Sequence, residues 1–345
     1  MTIKFLPAFN GDCILISFVD SEGANRNILI DGGTPASYQK MLKPLYKELE
    51  SNIDLLVVTH IDDDHIGGIK KLFEDTRLDK SRIKKVWFNS GGLLNHYFGE
   101  NEDLARAVSI VPNDITDMSL AQGNKLEAKL DELNGVWVKK IFKKGDKIDV
   151  HDCSIEILSP NDVTLTNLNQ NWETEINIQV NMSGKAHDDF KVDIDDLVKR
   201  PFKEDTAVPN GSSIAFLLEF GGIKGLLLGD AFPSVIVESL KGLGYSKDHK
   251  LNLDFVKISH HASKGNTSPE LLDIISCDNF IICTNGQKHG LPDKETLARV
   301  ISTHPNCTLH FNYNVYLEDL FTENDKQTYN FNIVDLSIQN YTLNF

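Results

Sequence analysis

The first third of the chain alternates between short apolar runs and polar turns. The runs 3–9, 13–19 and 27–33 are rich in β-branched and aromatic residues, and the turns "NGD" and "DSEGANR" separate them. This pattern predicts two or three strands joined by tight turns. Apolar residues at helical spacing follow in 38–51, where Pro44 starts or kinks a predicted helix.

A change from strand to helix is predicted next. The run "IDLLVVTH" (53–60) predicts a buried strand that ends at His60, and "HIGGIKKLFED" (65–75) has the spacing of a helix whose first turn holds His65. Such a change brings side chains and free backbone N–H groups together. The segment between the two elements is therefore a candidate site.

Strands and helices alternate through the rest of the chain, with a hairpin signal "GG" at 221–222. The predicted strands are 84–91, 136–142, 146–150, 153–160, 212–220, 223–230, 253–261, 279–286 and 307–313. The predicted helices are most of 100–133, then 233–243 and 293–302. Two sheets packed together and covered by helices would satisfy this order.

Residues 161–205 differ from their surroundings. They are rich in Asn, Asp and Thr, carry more acidic than basic side chains, and show little periodicity. We interpret them as a long acidic insertion, partly mobile, and not as a domain boundary. The prediction is thus one domain over 1–345.

Composition places the protein in a broad class. With 345 residues, 41% of them apolar, the chain can build a large core. It has no apolar run of about 18 residues and no recognisable signal peptide, so neither a membrane span nor a membrane partner is expected. Five scattered cysteines fit reduced core thiols in a cytoplasmic protein. They are Cys13, Cys153, Cys277, Cys283 and Cys307.

The formal net charge of −15 changes the functional picture. An acidic surface opposes non-specific binding to nucleic acid, which needs basic patches. Any phosphate chemistry in this chain would therefore depend on a local cation.

Residues 59–68, "THIDDDHIGG", concentrate metal-ligand chemistry. If the chain stays extended, His60, Asp62 and Asp64 project to the same side, and His65 can fold back toward them. Imidazole and carboxylate groups are ligands for zinc, manganese and similar ions. The alternative is an acidic helix N-terminus with incidental histidines.

Three more predicted strand ends carry the same chemistry. Asp230 follows "LLLG", His260 and His261 follow "VKIS", and His289 lies in a Gly/Pro loop ahead of a helix. A core histidine is the usual explanation for any single one of these, but four such places together favour a metal centre. Adjacent residues of a strand point in opposite directions, so the tandem histidines should not both face one ion.

These motifs resemble the metallo-β-lactamase fold superfamily. "THIDDDHIGG", preceded by "ILIDGG" and followed by "LLLGD" and "SHHASK", is similar to the hydrolase domain of bacterial DNA-uptake channel proteins, a branch with HxDxDHxGG where most members have HxHxDH. The resemblance covers most of 3–315, with 161–205 outside it. It implies an α/β fold, a four-layer αββα sandwich of two mixed sheets flanked by helices.

The resemblance also implies a set of ligands. His60 and Asp62 would hold a first ion, and Asp64, His65 and one tandem histidine would hold a second. Asp230 would bridge the two ions. The favoured tandem ligand is His261, because the superfamily ligand usually precedes a small residue, with His260 in reserve.

Other residues could support the ligands or contact the substrate. Asp31 in "ILIDGG" resembles a carboxylate that orients a ligating imidazole. By their chemistry, Ser212, Ser213 and Lys264 are candidates for contact with a phosphate, although ordinary turn composition explains each of them taken singly. Asp64 or Asp230 could accept a proton from water. His289 could bind a phosphate oxygen or protonate the leaving group, and the alternative is a loop histidine that caps the following helix.

The chain departs from the superfamily in one loop. Most members supply a further histidine ligand from the segment that here reads "VPNGSSI", where this chain has Asn210. One of two ions would then be weakly held or completed by water or substrate. The cofactor prediction is accordingly one or two divalent ions, zinc or manganese.

Three functions remain in competition. The first is a metal-dependent phosphodiesterase or nuclease that uses a metal-bound hydroxide, in a pocket kept positive by its ions. Its expected substrate is a phosphodiester or nucleic acid, with a basic protein as a possible partner. The second is a hydrolase of lactones, thioesters or phosphocholine esters on the same scaffold. The third is a catalytically quiet module that binds a partner through 161–205. The sequence does not give the oligomeric state.

Overall fold

Two β-sheets form the centre of the molecule. The computed structural model describes residues 1–100, 117–174 and 187–345. The strands are β1 (Thr2–Phe5), β2 (Ile14–Val19), β3 (Asn25–Ile30), β4 (Leu55–Val57), β5 (Val86–Trp87), β6 (Lys147–Val150), β7 (Cys153–Ser159), β8 (Ala215–Phe220), β9 (Ile223–Leu227), β10 (Leu251–Leu253), β11 (Phe255–Lys257), β12 (Ile275–Cys277), β13 (Asn279–Ile282), β14 (Thr308–Phe311), β15 (Asn332–Asp335) and β16 (Thr342–Asn344).

Helices connect and cover these strands. They are α1 (Leu42–Glu48), α2 (Asp63–Glu74), α3 (Gly91–Glu100), α4 (Asp117–Asp131), α5 (Asp162–Thr174), α6 (Ile194–Leu197), α7 (Val208–Gly211), α8 (Pro233–Gly242), α9 (Pro269–Ile274), α10 (Lys294–Thr303) and α11 (Glu323–Thr328). Short 3₁₀ turns occur at Lys80–Arg82, Ser259–Ala262 and Leu336–Gln339. None of the helices in the described ranges is both long and apolar enough to cross a bilayer.

Both large sheets are mixed. The first has the order β16-β1-β2-β3-β4-β5, antiparallel from β16 to β3 and parallel from β3 to β5. The second has the order β15-β14-β13-β11-β9-β8-β7-β6, parallel from β15 to β9 and antiparallel from β9 to β6. Strands β10 and β12 form a separate parallel pair.

Burial shows how the layers stack. Side chains from the inner faces of both sheets form one core, in which Phe5 of β1 meets Phe255 of β11 edge to face at 6.4 Å. The outer face of the first sheet packs on α2 through residues such as Leu29 and Ile69. The outer face of the second packs on α8 and α10. The layer order is helix, sheet, sheet, helix, which confirms the predicted αββα sandwich.

Most predicted elements are confirmed, with shifts at their ends. The helix expected over 38–51 begins only at Leu42, with Pro44 in its first turn, where its missing N–H is harmless. The predicted strand 136–142 is wrong, because Trp137 makes only an isolated bridge to Val86. Part of the helical prediction for 100–133 lies outside the described residues, and α4 fills most of the remainder.

The segment 161–205 packs closely wherever the structure describes it. Its first part forms α5, whose Leu165 and Leu168 are buried in the core over the first sheet. Its last part contributes Phe190 and Ile194 to the core over the second sheet. These parts are therefore packed against the core, residues 175–186 lie outside the described ranges, and partial mobility of the segment stays a prediction. The interpretation as an insertion stays a prediction.

All five cysteines are buried and unpaired, as expected for reduced core thiols. Burial raises the pKa of each thiol, and that of Cys153 rises to about 12. Such thiols stay protonated and are poor nucleophiles at neutral pH.

Candidate metal centre

The candidate ligands lie just beyond the carboxyl ends of strands from both sheets. His60 follows β4 of the first sheet, and Asp230 follows β9 of the second. His260 and His261 follow β11, the parallel neighbour of β9. Because these strand ends meet at one rim of the sandwich, residues that are up to 201 positions apart become neighbours.

Helix α2 supplies two more candidates. It begins at Asp63, two residues earlier than predicted, with Asp62 as its N-cap residue and Asp64 and His65 in its first turn. The expectation that 60, 62 and 64 alternate along an extended strand is therefore wrong. Strand β4 ends at Val57, and the helix brings Asp64 to the site.

The first group of possible ligands is His60, His65 and Asp230, whose ligand atoms all lie within 4.8 Å of one another. Nε2 of His60 lies 3.7 Å from Oδ2 of Asp230, and Nε2 of His65 lies 3.4 Å from Oδ1 of the same carboxylate. Asp62 approaches from the rim, with Oδ2 3.7 Å from Nε2 of His60. Asp230 therefore lies between the two histidines, in a position suited to bridging.

The second group is Asp64, His65 and His261, which meet the same distance limit. Nε2 of His261 lies 3.7 Å from Oδ2 of Asp64. The rings of His65 and His261 are 5.3 Å apart, centre to centre. This arrangement places His261, and not His260, beside the Asp64 and His65 pair.

The buried atoms of this centre fit a cation. Nε2 of His60, His65 and His261 and Oδ1 of Asp230 are all buried, and none has a hydrogen-bond partner among the described residues. An unsatisfied buried polar atom costs about 1–3 kcal/mol. Four such atoms, divided between the two groups, are unfavourable unless cations join them, and nitrogen and carboxylate oxygen suit zinc or manganese.

Further residues hold the imidazoles in place. Asp31 binds Nδ1 of His65 through Oδ2 at 2.7 Å, and its two oxygens also accept hydrogen bonds from the backbone N–H and the hydroxyl of Thr59. Nδ1 of His261 donates to the carbonyl oxygen of Cys283 at 2.7 Å. With Nδ1 occupied in this way, Nε2 is left free for an ion, as is usual for histidine ligands.

The charges of the centre shift several pKa values. Burial by itself would raise the pKa of Asp64, but the charges of His65, His261 and Lys288 lower it to about 2. Burial would lower the pKa of His65, but Asp230 and Asp31 raise it well above its ordinary value. Burial lowers the pKa of His261, against the opposing charges of Asp230 and Asp12. The anions and imidazoles thus stabilise one another even without an ion.

His260 lies in neither group of close ligand atoms but touches the centre from the side. Its Nε2 is 3.8 Å from Oδ2 of Asp230, and its Nδ1 is 2.9 Å from Oδ1 of Asn266. The strand ends at Lys257, so the alternation rule does not apply to the tandem, and both rings turn into the site.

The loop before β8 supports the ligands from behind. Asn210 donates from Nδ2 to Asp205 at 2.6 Å and lies 3.3 Å from Nδ1 of His260. Ser212 donates to the carbonyl oxygen of Pro209, and the hydroxyl of Ser213 accepts from the backbone N–H of Asp230. Both serines are buried, and both form hydrogen bonds within the protein. The expected contact with a phosphate is therefore wrong for them, and their role is to support the loop.

The side chains of Lys264 and His289 are exposed to solvent. The ammonium of Lys264 is half exposed and 3.9 Å from Asp293. Burial and the nearby charge of Lys288 lower the pKa of His289, against the opposing effect of Asp64. His289 is therefore neutral at pH 7 and within electrostatic reach of the ligands, although no described hydrogen bond joins it to them.

Sequence reasoning missed a buried ion pair beneath the centre. Nζ of Lys257, the last residue of β11, lies 2.6 Å from Oδ2 of Asp12, and both side chains are buried. Oδ1 of Asp12 is 3.6 Å from Nδ1 of His261. A lysine inside the apolar run "LDFVKIS" was the available signal, because a buried lysine needs a partner. Also missed were Asn10, which donates to Asp64 at 2.7 Å, and Asp205.

Comparison with known proteins agrees with this site. Residues 6–127 match the family model of the Metallo-beta-lactamase superfamily, a segment that contains the "THIDDDHIGG" motif. The chain is 22% identical over 320 residues to ComE operon protein 3 of Bacillus subtilis (strain 168). That alignment covers 86% of this chain and 31% of the relative, so the chain spans about a third of that protein's length.

Solved structures give weaker similarities. The metallo-beta-lactamase fold protein YhfI from Bacillus subtilis is 10% identical with a TM-score of 0.40, and covers 97% of this chain and 96% of its own. CmlA, a diiron beta-hydroxylase from Streptomyces venezuelae, is 12% identical with a TM-score of 0.40, covering 97% and 52%. Similarities of this size carry no argument about activity.

The sequence match and the ligand arrangement agree on one family. The matched segment supplies Asp31, His60, Asp62, Asp64 and His65, and the structure brings Asp230 and His261 to them from the other half of the sandwich. The family match over residues 6–127, the distant relative and the ligand arrangement together support the metallo-β-lactamase superfamily, whose members are generally metal-dependent hydrolases.

Proposed function

We propose that this protein is a metal-dependent phosphodiesterase that acts on nucleic acid or on a smaller phosphodiester. The observation that supports the proposal is that three buried imidazole nitrogens have no hydrogen-bond partner among the described residues, those of His60 and His65 beside Asp230 and that of His261 beside Asp64. One or two divalent ions held there would supply Lewis acidity, acidify a water molecule and attract a phosphate.

The charge balance supports an anionic substrate. Asp62, Asp64 and Asp230 contribute about −3, and two divalent ions would contribute about +4, so the loaded site would be positive although the chain is acidic. Lys288 adds a cation whose charge reaches Asp64. A phosphodiester, with one negative charge, suits such a site better than a neutral ester.

The protein's own groups fall into separate roles. Asp64 accepts a hydrogen bond from Asn10 and has a pKa of about 2, so it serves better as an ionised ligand than as a proton acceptor. Neutral His289 can donate one hydrogen bond, which suits contact with a phosphate oxygen. With its lowered pKa it is less suited to protonating a leaving group.

Two further observations bear on which phosphodiesters we propose as substrates. The motif resemblance to the hydrolase domain of DNA-uptake proteins supports nucleic acid among the phosphodiesters. The net charge of −15 opposes wrapping of long nucleic acid around the outer surface. We therefore expect short oligonucleotides or strand ends to be cleaved, or longer substrates to be delivered by a basic protein partner.

A panel of substrates tests the proposal. The protein is stripped with a chelator, resupplied with manganese or zinc, and assayed on bis(p-nitrophenyl) phosphate, DNA and RNA oligonucleotides, a lactone, a thioester and a phosphocholine ester. We expect metal-dependent cleavage of the phosphodiesters, lost in His65→Ala and Asp230→Asn. His249→Ala is the matched control, because His249 is exposed ahead of β10 and should leave activity unchanged.

Two results would contradict the proposal. Turnover of the lactone, thioester or phosphocholine ester without cleavage of any phosphodiester would move the protein to the second class of hydrolase. Absence of turnover on the whole panel, by protein shown to contain its ions, would leave a metal-binding module without the proposed activity.

A further inference from the structure

The backbone after β11 takes an unusual course at the tandem histidines. His260, His261 and Ala262 have φ values of 46°, 52° and 67°, so three consecutive residues with side chains occupy the left-handed region. Each such residue costs on the order of 1 kcal/mol or more, and such strain persists where surrounding contacts hold it, often at functional sites. A strand would have sent the two rings to opposite faces, whereas this turn directs both into the centre.

Hydrogen bonds on both sides fix this turn. The backbone N–H of His260 donates to the carbonyl oxygen of Gly229 at 2.9 Å, and the N–H of Ser263 donates to the carbonyl oxygen of His260 at 2.8 Å. The hydroxyl of Ser259 donates to the carbonyl oxygen of Ala231 at 2.9 Å. The tandem is thus tied to the two residues that flank Asp230, and the strained turn and the bridging carboxylate form one unit.

The two rings are oriented in the same manner but toward different carboxylates. His261 binds the protein through Nδ1 and presents Nε2 to Asp64 at 3.7 Å. His260 binds Asn266 through Nδ1 and presents Nε2 to Asp230 at 3.8 Å. Anchoring one ring nitrogen and presenting the other is the arrangement of histidine ligands in metal sites.

His60 and His260 approach the same oxygen of Asp230. Nε2 of His60 is 3.7 Å from Oδ2, and Nε2 of His260 is 3.8 Å from it. Asp62 joins them through its contact with His60. Without His260, the described residues offer His60, Asp62 and Asp230 on this side of the centre. On the other side they offer Asp64, His65, His261 and the same Asp230.

Asn210, at the position where most superfamily members have a histidine ligand, supports the ring of His260. Asn210 stands where most superfamily members supply a further ligand, and here its side-chain nitrogen lies 3.3 Å from Nδ1 of His260. Asp205 accepts from both Asn210 and Asn266 and lies 3.6 Å from the same ring nitrogen. Together, Asp205, Asn210 and Asn266 form a cradle for the outer edge of that ring.

From this geometry we infer that both tandem histidines are metal ligands, one for each ion. His260 completes the first site, with His60, Asp62 and Asp230, and takes the place of the histidine missing at 210. His261 completes the second, with Asp64 and His65. The inference rests on the metal-binding part of the proposed function and not on cleavage of a phosphodiester.

Metal content tests this assignment without reference to activity. Chelator-stripped protein is reloaded with zinc, the bound zinc is counted by elemental analysis, and the affinity of each site is measured by competition with a chromophoric chelator. We expect two ions in the wild type and one in His260→Ala. In His260→Ala, the zinc affinity of the first site should fall by more than the roughly 10–100-fold that follows from loss of a supporting hydrogen bond. His249→Ala is the matched control and should keep two ions.

Two further variants separate a ligand from a supporting residue. Asp205→Asn removes a charge from the cradle but leaves both rings, so it should weaken the first site by no more than about 10–100-fold. The double variant His260→Ala/Asn210→His should recover the second ion, because it returns a histidine to the position used by most superfamily members. Circular dichroism establishes that each variant is folded before its metal is counted.

The outcomes are distinct. A wild type that binds fewer than two ions, or a folded His260→Ala that keeps two with unchanged affinities, would overturn the inference. A drop from two ions to one in His260→Ala would uphold it even if no phosphodiester were cleaved. Cleavage of phosphodiesters by a His260→Ala variant that keeps both ions would overturn the inference and leave the proposed function standing.

Discussion

The Asp31 carboxylate has three hydrogen-bond partners: the backbone N–H and the hydroxyl of Thr59, and Nδ1 of His65. It holds His65 and, through Thr59, the turn that carries His60. An amide at this position can accept on one side only, so Asp31→Asn must lose either the histidine or the threonine contact. We expect the affinity for zinc to fall by about 10–100-fold, measured by chelator competition.

Asp20→Asn is the control for this change. Asp20 is also buried and bonded to several groups, namely Arg26 and two backbone N–H groups in the turn between β2 and β3. The Asp20→Asn variant should be less stable than the wild type but bind zinc with the same affinity. Equal zinc affinities in Asp31→Asn and the wild type would refute a positioning role for Asp31.

His310 makes stability depend on pH. Burial lowers its pKa to about 4, and Nε2 bonds to Asn279 at 3.0 Å. Below about pH 6.5 the unfolded chain binds a proton at this residue that the folded chain refuses, so the free energy of unfolding falls as the pH drops from about 6.5 to about 4. This residue contributes at most about 1.4 kcal/mol per pH unit within that window.

The measurement is guanidinium denaturation of metal-free protein at several pH values, comparing the wild type with His310→Gln. The variant should show a shallower loss of stability between pH 6.5 and 4, and no change in slope above pH 7. Parallel curves for the two proteins throughout this window would show that His310 does not titrate as described.

At the scale of elements, the position of α2 depends on its contact with the turn after β3. The N–H of Gly68 donates to the carbonyl oxygen of Gly33 at 2.8 Å, and a β-carbon on Gly68 would lie 1.9 Å from the carbonyl oxygen of Gly32. Gly68→Ala must therefore push the helix away from this turn, although alanine favours helices in general. We expect lower stability and weaker zinc binding, because α2 carries Asp64 and His65.

Gly242→Ala gives the matched control. Gly242 lies at the end of α8, and a β-carbon there would meet nothing within 4 Å. It should leave zinc affinity unchanged and keep or slightly raise the melting temperature. If Gly68→Ala behaved in the same way as Gly242→Ala, the close approach of α2 to the turn would not be what positions these ligands.

The elements also show what the sequence could predict. Strands such as β8 and β9 are apolar runs bounded by glycine, and most candidate ligands are polar residues placed soon after such runs. Both the strands and the candidate ligands were therefore predictable from local pattern. The course of the chain through His260 and His261 was not, because a left-handed turn of residues with side chains has no local signature. The contact of Asp205 with His260 was also out of reach, since it joins segments 55 residues apart.

At the scale of the whole molecule, Asp12 and Lys257 tie the two halves of the sandwich together. Asp12 precedes β2 of the first sheet and Lys257 ends β11 of the second. The pair is buried, so Lys257→Met would leave the Asp12 carboxylate uncompensated. We expect this variant to lose about 3–5 kcal/mol of stability in guanidinium denaturation.

Lys247→Met is the comparison, because Lys247 pairs with Asp273 at a similar distance of 3.0 Å but on the surface. Loss of that pair should cost less than about 1 kcal/mol. The double variant Lys257→Met/Asp12→Leu should be less destabilised than the sum of its single changes. Additive losses, or equal losses for the buried and the surface lysine, would contradict a structural ion pair across the sheets.

The wide spacing of the ligands along the chain has a consequence for biosynthesis. His60, Asp62, Asp64 and His65 leave the ribosome early, Asp230 much later, and the tandem histidines after more than 250 residues have been made. A nascent chain therefore offers only a partial ligand set while its first half folds. Tight binding of a divalent ion would therefore have to wait until the tandem histidines have been translated and have folded against the earlier candidate ligands.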